Sequence, residues 1–260
     1  MLNEEFDWEW FIKKVQQKSG IDLTAYKRPQ MERRINSFMR SNGAADYSAF
    51  VKMLDHDHEL YRKFIEHLTI NVSEFFRNKN HWDVLQEKII PDLLKDRQRI
   101  KIWSAGCSTG EEPYSLAIMM KENFPNKFDP IWATDIDLEV LQKAQMGLYN
   151  SKSVAATPPQ LVKKHFIEEG NFIRIRDDIK SLVKFQRHDL LKDAFPTDFD
   201  LILCRNVVIY FTEETKDKLY RKFVGALRQN GVMFIGSTEQ IFQGRELGLK
   251  SVATFFYQKI

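Results

Sequence analysis

From Ile100 onward, short apolar runs alternate with helical segments, and this alternation leaves few folds open to the second half of the chain. The runs are RIKIWSAG, DPIWATDI, LVKFQRHDL, FDLILCRNVV, GVMFIGS and a terminal VATFFYQKI. Strands separated by helices predict a mainly parallel sheet with helices on both faces. The first four runs end in small or polar residues, at the carboxyl edge where such sheets bind ligands. We therefore expect an α/β domain over residues 100–260 with a ligand pocket at that edge.

Residues 1–70 follow a different pattern, because their apolar residues recur at spacings of three and four. Pro29 suits the first turn of a helix that Gly43 ends, and Asp46 suits the N-cap of the next helix. Four helices and no strands are predicted there. The chain thus divides into a helical domain over residues 1–70, a connecting segment over 71–99 and the α/β domain.

Composition excludes several classes of protein. No apolar run approaches the ~20 residues of a membrane-spanning helix, and the acidic, aromatic start MLNEEFDWEWF lacks the layout of a signal peptide. We therefore expect a cytoplasmic protein that does not insert into membranes. The two cysteines, Cys107 and Cys204, show no zinc-binding spacing, so no metal is expected. With 39 basic and 36 acidic residues, net charge alone does not indicate a nucleic-acid partner.

The first apolar run ends in SAGCSTGEEP, which leads into a helix. Gly106 and Gly110 allow a tight turn and close approach of the backbone to a ligand. The spacing is GxxxG, so the GxGxxG phosphate fingerprint is absent, and Glu111 and Glu112 stand where a phosphate loop would place lysine. Two interpretations remain open: the carboxylates complement the helix dipole, or the loop binds a cationic ligand without phosphate, such as a sulfonium or an amine.

Acidic residues also follow the second and third runs. Asp135 could accept hydrogen bonds from both hydroxyls of a ribose, provided that Asp137 serves as the N-cap of the next helix. Asp189 could accept from an adenine amino group while Leu190 packs on the ring. The fourth run ends in CRNVVIY. Together these strand ends predict a nucleoside pocket.

The motifs GCSTGEEPYS, ATDID, HDL and CRNVVIYF, with NVSEFFR before the α/β domain, resemble the CheR-type chemotaxis receptor methyltransferases. The resemblance spans nearly the whole chain. It implies a class I S-adenosylmethionine-dependent methyltransferase, with a mainly parallel seven-stranded sheet whose last strand is antiparallel. It also implies an N-terminal all-helical domain and a small inserted antiparallel β subdomain at about residues 161–185. The implied reaction is methyl transfer from S-adenosylmethionine to receptor glutamates, giving methyl esters and S-adenosylhomocysteine.

The resemblance also carries site residues to this chain. The residues that match cofactor-holding positions, with Gly106 added for its backbone, are Asn71, Ser73, Arg77, Gly106, Glu111, Asp135, Asp189, Leu190, Arg205 and Asn206. Arg77 and Tyr210 match residues beside the transferred methyl and are the predicted catalytic residues. NVVIY lacks both prolines of the NPPY motif, which argues against an amino nitrogen as acceptor. We expect Phe75 and Phe76 to be buried between the helical domain and the sheet.

The helix that begins near Pro29 is the predicted docking surface for the cytoplasmic methylation helices of receptors. Arg33 and Arg40 lie one heptad apart, opposite its apolar stripe, and Lys27, Arg28 and Arg34 could broaden the basic face. The alternative is an ordinary solvated face. The short turn at Glu168–Asn171 argues against dependence on a tethering peptide at receptor C-termini. We expect a monomer.

Two other functions are weighed against glutamate methylation. A nucleic-acid methyltransferase has support only from the basic helix, because no stripe of interleaved aromatic and basic residues is present for base stacking. A non-catalytic adaptor that binds cofactor or receptor is opposed by the intact set of Arg77, Asp135, Asn206 and Tyr210. The sequence therefore favours an enzyme.

Overall fold

A computed structural model describes residues 2–69 and 73–260, with side chains from Asp7 onward. The chain forms two compact units. The first comprises residues 1–71 together with the short segment Tyr210–Asp217, and the second comprises the remainder. The return of residues 210–217 to the helical unit was not predicted. Within the described residues, no helix is both long and apolar enough to cross a membrane.

The first unit is helical, as its apolar spacing predicts. Pro29 stands in the first turn of its second helix, Gly43 follows that helix with a φ of +77°, and the Asp46 side chain accepts a hydrogen bond from the Ala49 N–H. These are the signals that the sequence offered for the helix ends. The helices are α1 (Leu2–Ser19), a 3₁₀ turn (Leu23–Ala25), α2 (Arg28–Ser41), α3 (Tyr47–His56) and α4 (His58–Thr69).

Aromatic rings form the core of the helical unit. Phe11, Phe50 and Phe64, from α1, α3 and α4, are fully buried. Phe50 and Phe64 meet edge to face with their ring centroids 5.1 Å apart. Such pairs add about 0.5–1.5 kcal/mol to the energy of burial. Three short helices can therefore hold one stable packing arrangement.

The second unit is built on a seven-stranded sheet. Its members are β1 (Ile102–Ala105), β2 (Ile131–Asp135), β6 (Val183–Arg187), β7 (Phe199–Cys204), β8 (Leu227–Ile235), β9 (Leu249–Ala253) and β10 (Phe256–Lys259). They lie in the order β6-β2-β1-β7-β8-β10-β9. The pairs from β6 to β8 are parallel, and β10 is antiparallel to both of its neighbours. A mainly parallel sheet with an antiparallel last strand is confirmed.

The C-terminal end of the sheet differs from the prediction. VATFFYQKI does not form one strand, because the chain turns at Thr254–Phe255, where Phe255 adopts a φ of +69°. Residues before the turn belong to β9 and residues after it to β10. A continuous apolar run conceals such a turn, since no glycine or proline marks it.

The remaining helices precede β1 or lie between strands. They are α5 (Lys79–Val84), which continues through a π-helical turn (Leu85–Ile89) into α6 (Ile90–Leu94), and then α7 (Glu111–Asn123), α8 (Leu138–Met146), α9 (Pro159–His165), α10 (Asp177–Lys180) and α11 (Glu213–Ala226). Two 3₁₀ turns lie at Ser151–Val154 and Val208–Tyr210.

A separate three-stranded antiparallel sheet confirms the small β subdomain. It consists of β3 (Leu148–Asn150), β4 (Phe166–Glu169) and β5 (Phe172–Ile175), in the order β3-β5-β4. Its extent differs from the expected 161–185, because β3 precedes that range and Val183–Phe185 belongs to β6 of the main sheet. Glu168 and Glu169 lie within β4, so only Gly170 and Asn171 form the turn to β5.

Candidate functional site

The loop after β1 forms a tight turn at the carboxyl edge of the main sheet. Gly106 and Gly110 adopt φ angles of +76° and +94°, which side chains disfavour. A Cβ on Gly106 would lie 2.5 Å from Val207 Cγ2, and one on Gly110 would lie 2.9 Å from Ala144 Cβ. Both glycines are therefore required for packing as well as for conformation, and the loop is fixed against its neighbours.

Asp135 lies beside this loop, at the end of β2. Its Oδ2 accepts from the Ser108 N–H at 2.9 Å, and its Oδ1 accepts from the Asp137 N–H at 3.1 Å. Burial raises the pKa of Asp135 to about 6. Asp137 caps α8, as the sequence analysis required. Each Asp135 oxygen accepts one of these backbone bonds and keeps acceptor capacity for a ligand hydroxyl.

The two glutamates at the start of α7 have different surroundings. Glu111 accepts from the Thr109 hydroxyl at 2.6 Å and from the side chain of Ser73. Glu112 accepts from the Ser104 hydroxyl at 2.8 Å and pairs with Arg205 at 3.3 Å. Burial raises the pKa of both carboxyls. Consecutive helical residues point in different directions. Only Glu111 therefore stays with the predicted site residue Ser73, while Glu112 serves as counter-charge to Arg205.

Arg205 is turned into the protein. Its guanidinium lies 4.6 Å from the centroid of the Phe234 ring and donates from Nη2 to the Arg77 carbonyl at 3.1 Å and to Asn78 Oδ1 at 3.2 Å. Together with the bond to Glu112, these contacts join the end of β7 to α7 and to the segment before α5. Direct contact between Arg205 and the cofactor stays a prediction. The observed contacts of Arg205 stabilise the packing of these three segments.

The stretch around Arg77 is anchored on both sides. Phe75 and Phe76 are buried, and their expected position between the helical domain and the sheet stays a prediction. Their ring partners lie in the second unit: Phe75 contacts Tyr149 and Phe166, and Phe76 contacts Trp82. The Arg77 carbonyl accepts from Trp82 Nε1 at 3.0 Å as well as from Arg205. The Arg77 carbonyl thus joins this stretch to Trp82 and to Arg205. Asn71, predicted in the same stretch, lies outside the described residues.

Asp189 and Leu190 follow β6 and are both buried. Asp189 Oδ1 accepts from the Leu191 N–H at 2.9 Å, which fixes the turn, and the Leu190 carbonyl accepts from Lys222 Nζ at 2.7 Å. Asp135 is close by, because its carbonyl accepts from the His188 N–H at 2.9 Å. The predicted ribose and adenine residues therefore lie on neighbouring strand ends.

Asn206 stands just after β7 in the left-handed conformation, with a φ of +59°. Its backbone N–H donates to Glu239 Oε2 at 3.1 Å, and its side-chain amide lies 3.4 Å from the Thr238 hydroxyl. Both partners follow β8. Neither residue belongs to a strand-end motif, so neither was predicted as a site residue. One local feature could have indicated Glu239 as a site residue: it is a charged residue that lies three positions after Gly236, just beyond β8.

Tyr210 belongs to the helical unit. Its carbonyl accepts from the Lys27 N–H at 2.9 Å, and Thr212 N–H donates to the Ala25 carbonyl at 2.9 Å. The rings of Tyr26 and Phe211 meet edge to face at 4.8 Å. Lys27 is also the N-cap of α2. The predicted catalytic tyrosine is thus held by the residues that begin the predicted docking helix.

The basic residues of α2 fall into two groups. Arg33 and Arg40 are exposed, and within the described part of the chain neither forms an ion pair. Arg28 pairs with Glu32, and Arg34 donates to the His67 carbonyl at 2.6 Å, which ties α2 to α4. Arg34 is therefore engaged in packing, and Arg33 and Arg40 are the exposed arginines of α2 that form no ion pair with the described residues.

The hydrogen-bond acceptors at this edge of the sheet suit S-adenosylmethionine. Asp135, Asp189 and Glu111 offer acceptors for hydroxyl and amino groups, and a phosphate would be repelled by them. Glu111 and Asp135 also complement a positively charged ligand. No three metal-binding side chains cluster among the residues described.

Family models match the two units in turn. Residues 7–69 match the all-alpha domain of CheR methyltransferases, and residues 71–254 match their SAM binding domain. The chain belongs to the CheR methyltransferase family. It is therefore an S-adenosylmethionine-dependent methyltransferase, as the sequence motifs predict.

Named relatives are similar over nearly their full length. A chemotaxis protein methyltransferase of Listeria innocua is 45% identical over 256 residues, covering 98% of each chain. Those of Borreliella burgdorferi and Salmonella typhimurium are 34% and 32% identical, covering 94% of this chain and 91% and 88% of theirs. Both the helical domain and the SAM-binding domain are thus shared with this family.

Proposed function

We propose that this protein transfers the methyl group of S-adenosylmethionine to glutamate side chains on the cytoplasmic methylation helices of chemotaxis receptors. The products are a glutamate methyl ester and S-adenosylhomocysteine. The observation that carries the proposal is the full-length similarity to chemotaxis protein methyltransferases, with the helical domain included. The hydrogen-bonding groups at the carboxyl edge of the sheet support the proposal independently.

Residues of the carboxyl edge would hold the cofactor. Asp135 would accept from the ribose hydroxyls, Asp189 and Leu190 would receive the adenine, and the remaining predicted residues would complete the site: Asn71, Ser73, Arg77, Gly106, Glu111, Arg205 and Asn206. When bound, S-adenosylmethionine supplies an electrophilic methyl group on a sulfonium, whose thioether product is a good leaving group. Burial of Asp135 and Glu111 in low-dielectric surroundings strengthens their attraction for that positive charge.

The acceptor needs no general base. A solvent-exposed glutamate carboxyl has a pKa of about 4.3, so it is already in its nucleophilic carboxylate form near neutral pH. The task of the enzyme is to orient the carboxylate, and good orientation can lower a barrier by about 7–11 kcal/mol. The buried carboxylates Asp135, Glu111 and Glu112 each accept hydrogen bonds already, which suits binding more than proton transfer.

Arg77 is the proposed orienting group for the glutamate. A guanidinium presents a rigid fork of donors that matches a carboxylate. Its backbone is held by Trp82 and Arg205, so the side chain projects from a fixed point. Tyr210 is the second proposed catalytic residue, and its phenol would bond the glutamate or close over the methyl group.

One assay tests the proposal. The protein is incubated with methyl-labelled S-adenosylmethionine and acidic receptor cytoplasmic fragments, and the labelled fragments are then treated with base. A glutamate methyl ester releases its label as volatile methanol. Label that survives base would reject the glutamate assignment while leaving methyl transfer established. Absence of labelling with an equal amount of receptor fragment in which the glutamates are alanine is the control.

A further inference from the structure

Glu239 is a buried carboxylate that lies outside the motifs used above. It follows β8 in a turn closed by its own N–H, which donates to the Gly236 carbonyl at 3.1 Å. Its side chain reaches back across the sheet edge, and only 5% of the residue is exposed. Burying a charge without partners costs free energy, so the hydrogen-bond partners of Glu239 indicate its role.

Those partners are backbone N–H groups of two different segments. Oε2 accepts from Gly236 at 2.6 Å and from Asn206 at 3.1 Å, and Oε1 accepts from Val208 at 3.1 Å. Gly236 directly follows β8, whereas Asn206 and Val208 belong to the segment after β7. One carboxylate therefore joins two adjacent strand ends beyond the last pair of the ladder, Cys204 with Ile235.

The loop after β7 needs such a support. Asn206 holds a φ of +59°, a conformation that an L-residue adopts only when its surroundings favour it. A Cβ on Gly236 would lie 2.7 Å from the Asn206 nitrogen and 2.9 Å from its Nδ2, so Asn206 is packed directly against the β8 turn. Charge-assisted bonds from backbone N–H groups are about twice as strong as neutral ones.

Two other roles for Glu239 are less consistent with this geometry. A general base needs a free oxygen facing the acceptor, whereas both Glu239 oxygens accept from backbone groups. A surface ion pair is excluded by its burial. The same set of bonds also explains why a carboxylate stands here, since a hydroxyl or an amide cannot present two acceptor oxygens to the backbone N–H groups of both segments.

We propose that Glu239 is a positioning residue that fixes Asn206 for binding S-adenosylmethionine. The proposal rests on the cofactor-binding role proposed for Asn206. Glu239 acts through the loop and touches neither cofactor nor acceptor. Its removal should therefore weaken cofactor binding more than it slows the reaction of a fully loaded enzyme.

The test uses Glu239→Gln, which keeps the shape and one acceptor oxygen but sets an amide N–H against a backbone N–H. We expect the Kd for S-adenosylhomocysteine, measured by calorimetry, to rise about tenfold, and the KM for S-adenosylmethionine to rise in parallel. The kcat at saturating S-adenosylmethionine and the KM for receptor should change by less than about threefold. Glu246→Gln, an exposed glutamate in the same loop region, is the matched control and should bind as the wild type does.

A double-mutant comparison separates positioning from general destabilisation. In an Asn206→Ala background, Glu239→Gln should cause less than a twofold further loss of affinity, because its effect passes through Asn206. Equal losses in both backgrounds would overturn the proposal, as would a lowered Tm with unchanged Kd. Calorimetry needs no methyl acceptor, so these outcomes do not depend on whether glutamate is the substrate.

Discussion

The cofactor edge of the α/β unit and the basic face of α2 use charge in opposite ways. At the edge, Asp135 and Glu111 are buried and already accept hydrogen bonds from the protein. On α2, Arg33 and Arg40 are exposed, and no ion pair with the described residues holds them. Buried, bonded charges bind a small ligand in one geometry, whereas exposed charges attract a large partner at a distance. The division suits an enzyme that binds a small cofactor and a large second substrate.

Tyr210 links the two regions along the chain. It ends the 3₁₀ turn that follows the Asn206 loop, yet it packs in the helical unit through Lys27 and through the Tyr26–Phe211 contact. A change in the helical unit can therefore reach Tyr210 without passing through the cofactor-binding residues. Variants of each region test whether cofactor binding and receptor docking are separate.

Arg77→Ala should lower the methylation rate by at least about 100-fold, because it removes the group proposed to orient the acceptor carboxylate. The free energy of unfolding should change by no more than about 1 kcal/mol, since the bonds from Trp82 and Arg205 to the Arg77 carbonyl are kept in the variant. Rate assays and thermal unfolding measure the two quantities. Lys79→Ala, an exposed neighbour, is the control. Losses of rate and stability in equal proportion would mean that Arg77 is structural.

Asp135→Asn should weaken binding of S-adenosylhomocysteine by about 10- to 100-fold at neutral pH, since a charged hydrogen-bond acceptor contributes about 1.5–3 kcal/mol. Cofactor affinity of the wild type should also fall as pH decreases through the Asp135 pKa of about 6, because the carboxylate becomes protonated. Calorimetry across this pH range measures both effects. An affinity that does not change between pH 5 and pH 7 would contradict the assignment.

Protonation of Asp135 should weaken cofactor binding but stabilise the folded protein. The raised pKa means that the folded state holds the Asp135 proton more tightly than the unfolded state does. Its contribution to the free energy of unfolding therefore decreases as pH rises from about 4, the usual value for an aspartate, to about 6. Asp135→Asn should remove this component from the pH dependence of unfolding, which denaturant titrations can detect.

Arg33→Glu/Arg40→Glu should reduce receptor methylation by about tenfold at low ionic strength, because four units of charge are changed on the docking face. The difference from wild type should shrink as salt increases, since the Debye length falls from ~10 Å at 0.1 M to ~3 Å at 1 M. Lys13→Glu/Lys52→Glu changes the same charge at exposed sites on α1 and α3 and is the control. Equal losses in both double variants would show general electrostatics instead of docking.

Removal of the C-terminal tail from a receptor substrate should change its methylation rate by less than about twofold. The β4–β5 connection consists of Gly170 and Asn171 alone, which leaves no long loop to hold a tethering peptide. Initial rates with full-length and truncated receptors in the same membranes measure the effect. A large loss of rate on truncation would show that a tether is used.

The strand ends were predictable from the sequence because each signal is local. Asp135, Asp189 and Asn206 follow recognisable apolar runs, and parallel strands bring their carboxyl ends together at one edge. The same reasoning holds for α2, whose limits are marked by Pro29 and Gly43.

The features that the sequence did not reveal depend on long-range pairing. Glu112 and Arg205 are 93 positions apart, and Glu239 and Asn206 are 33 apart. No local pattern connects such residues, so the inward orientation of Arg205 and the support of Asn206 emerged only from the fold. The return of Tyr210 to the helical unit was missed for the same reason, whereas the turn at Phe255 was missed because no glycine or proline marks it.

The separation of cofactor binding from receptor docking is tested most directly by one measurement, the Kd of Arg33→Glu/Arg40→Glu for S-adenosylhomocysteine. We expect this Kd to lie within twofold of the wild-type value in a preparation whose kcat/KM for receptor has fallen about tenfold. A Kd that weakens in proportion to kcat/KM would contradict the separation, because the basic face of α2 would then contribute to the cofactor site.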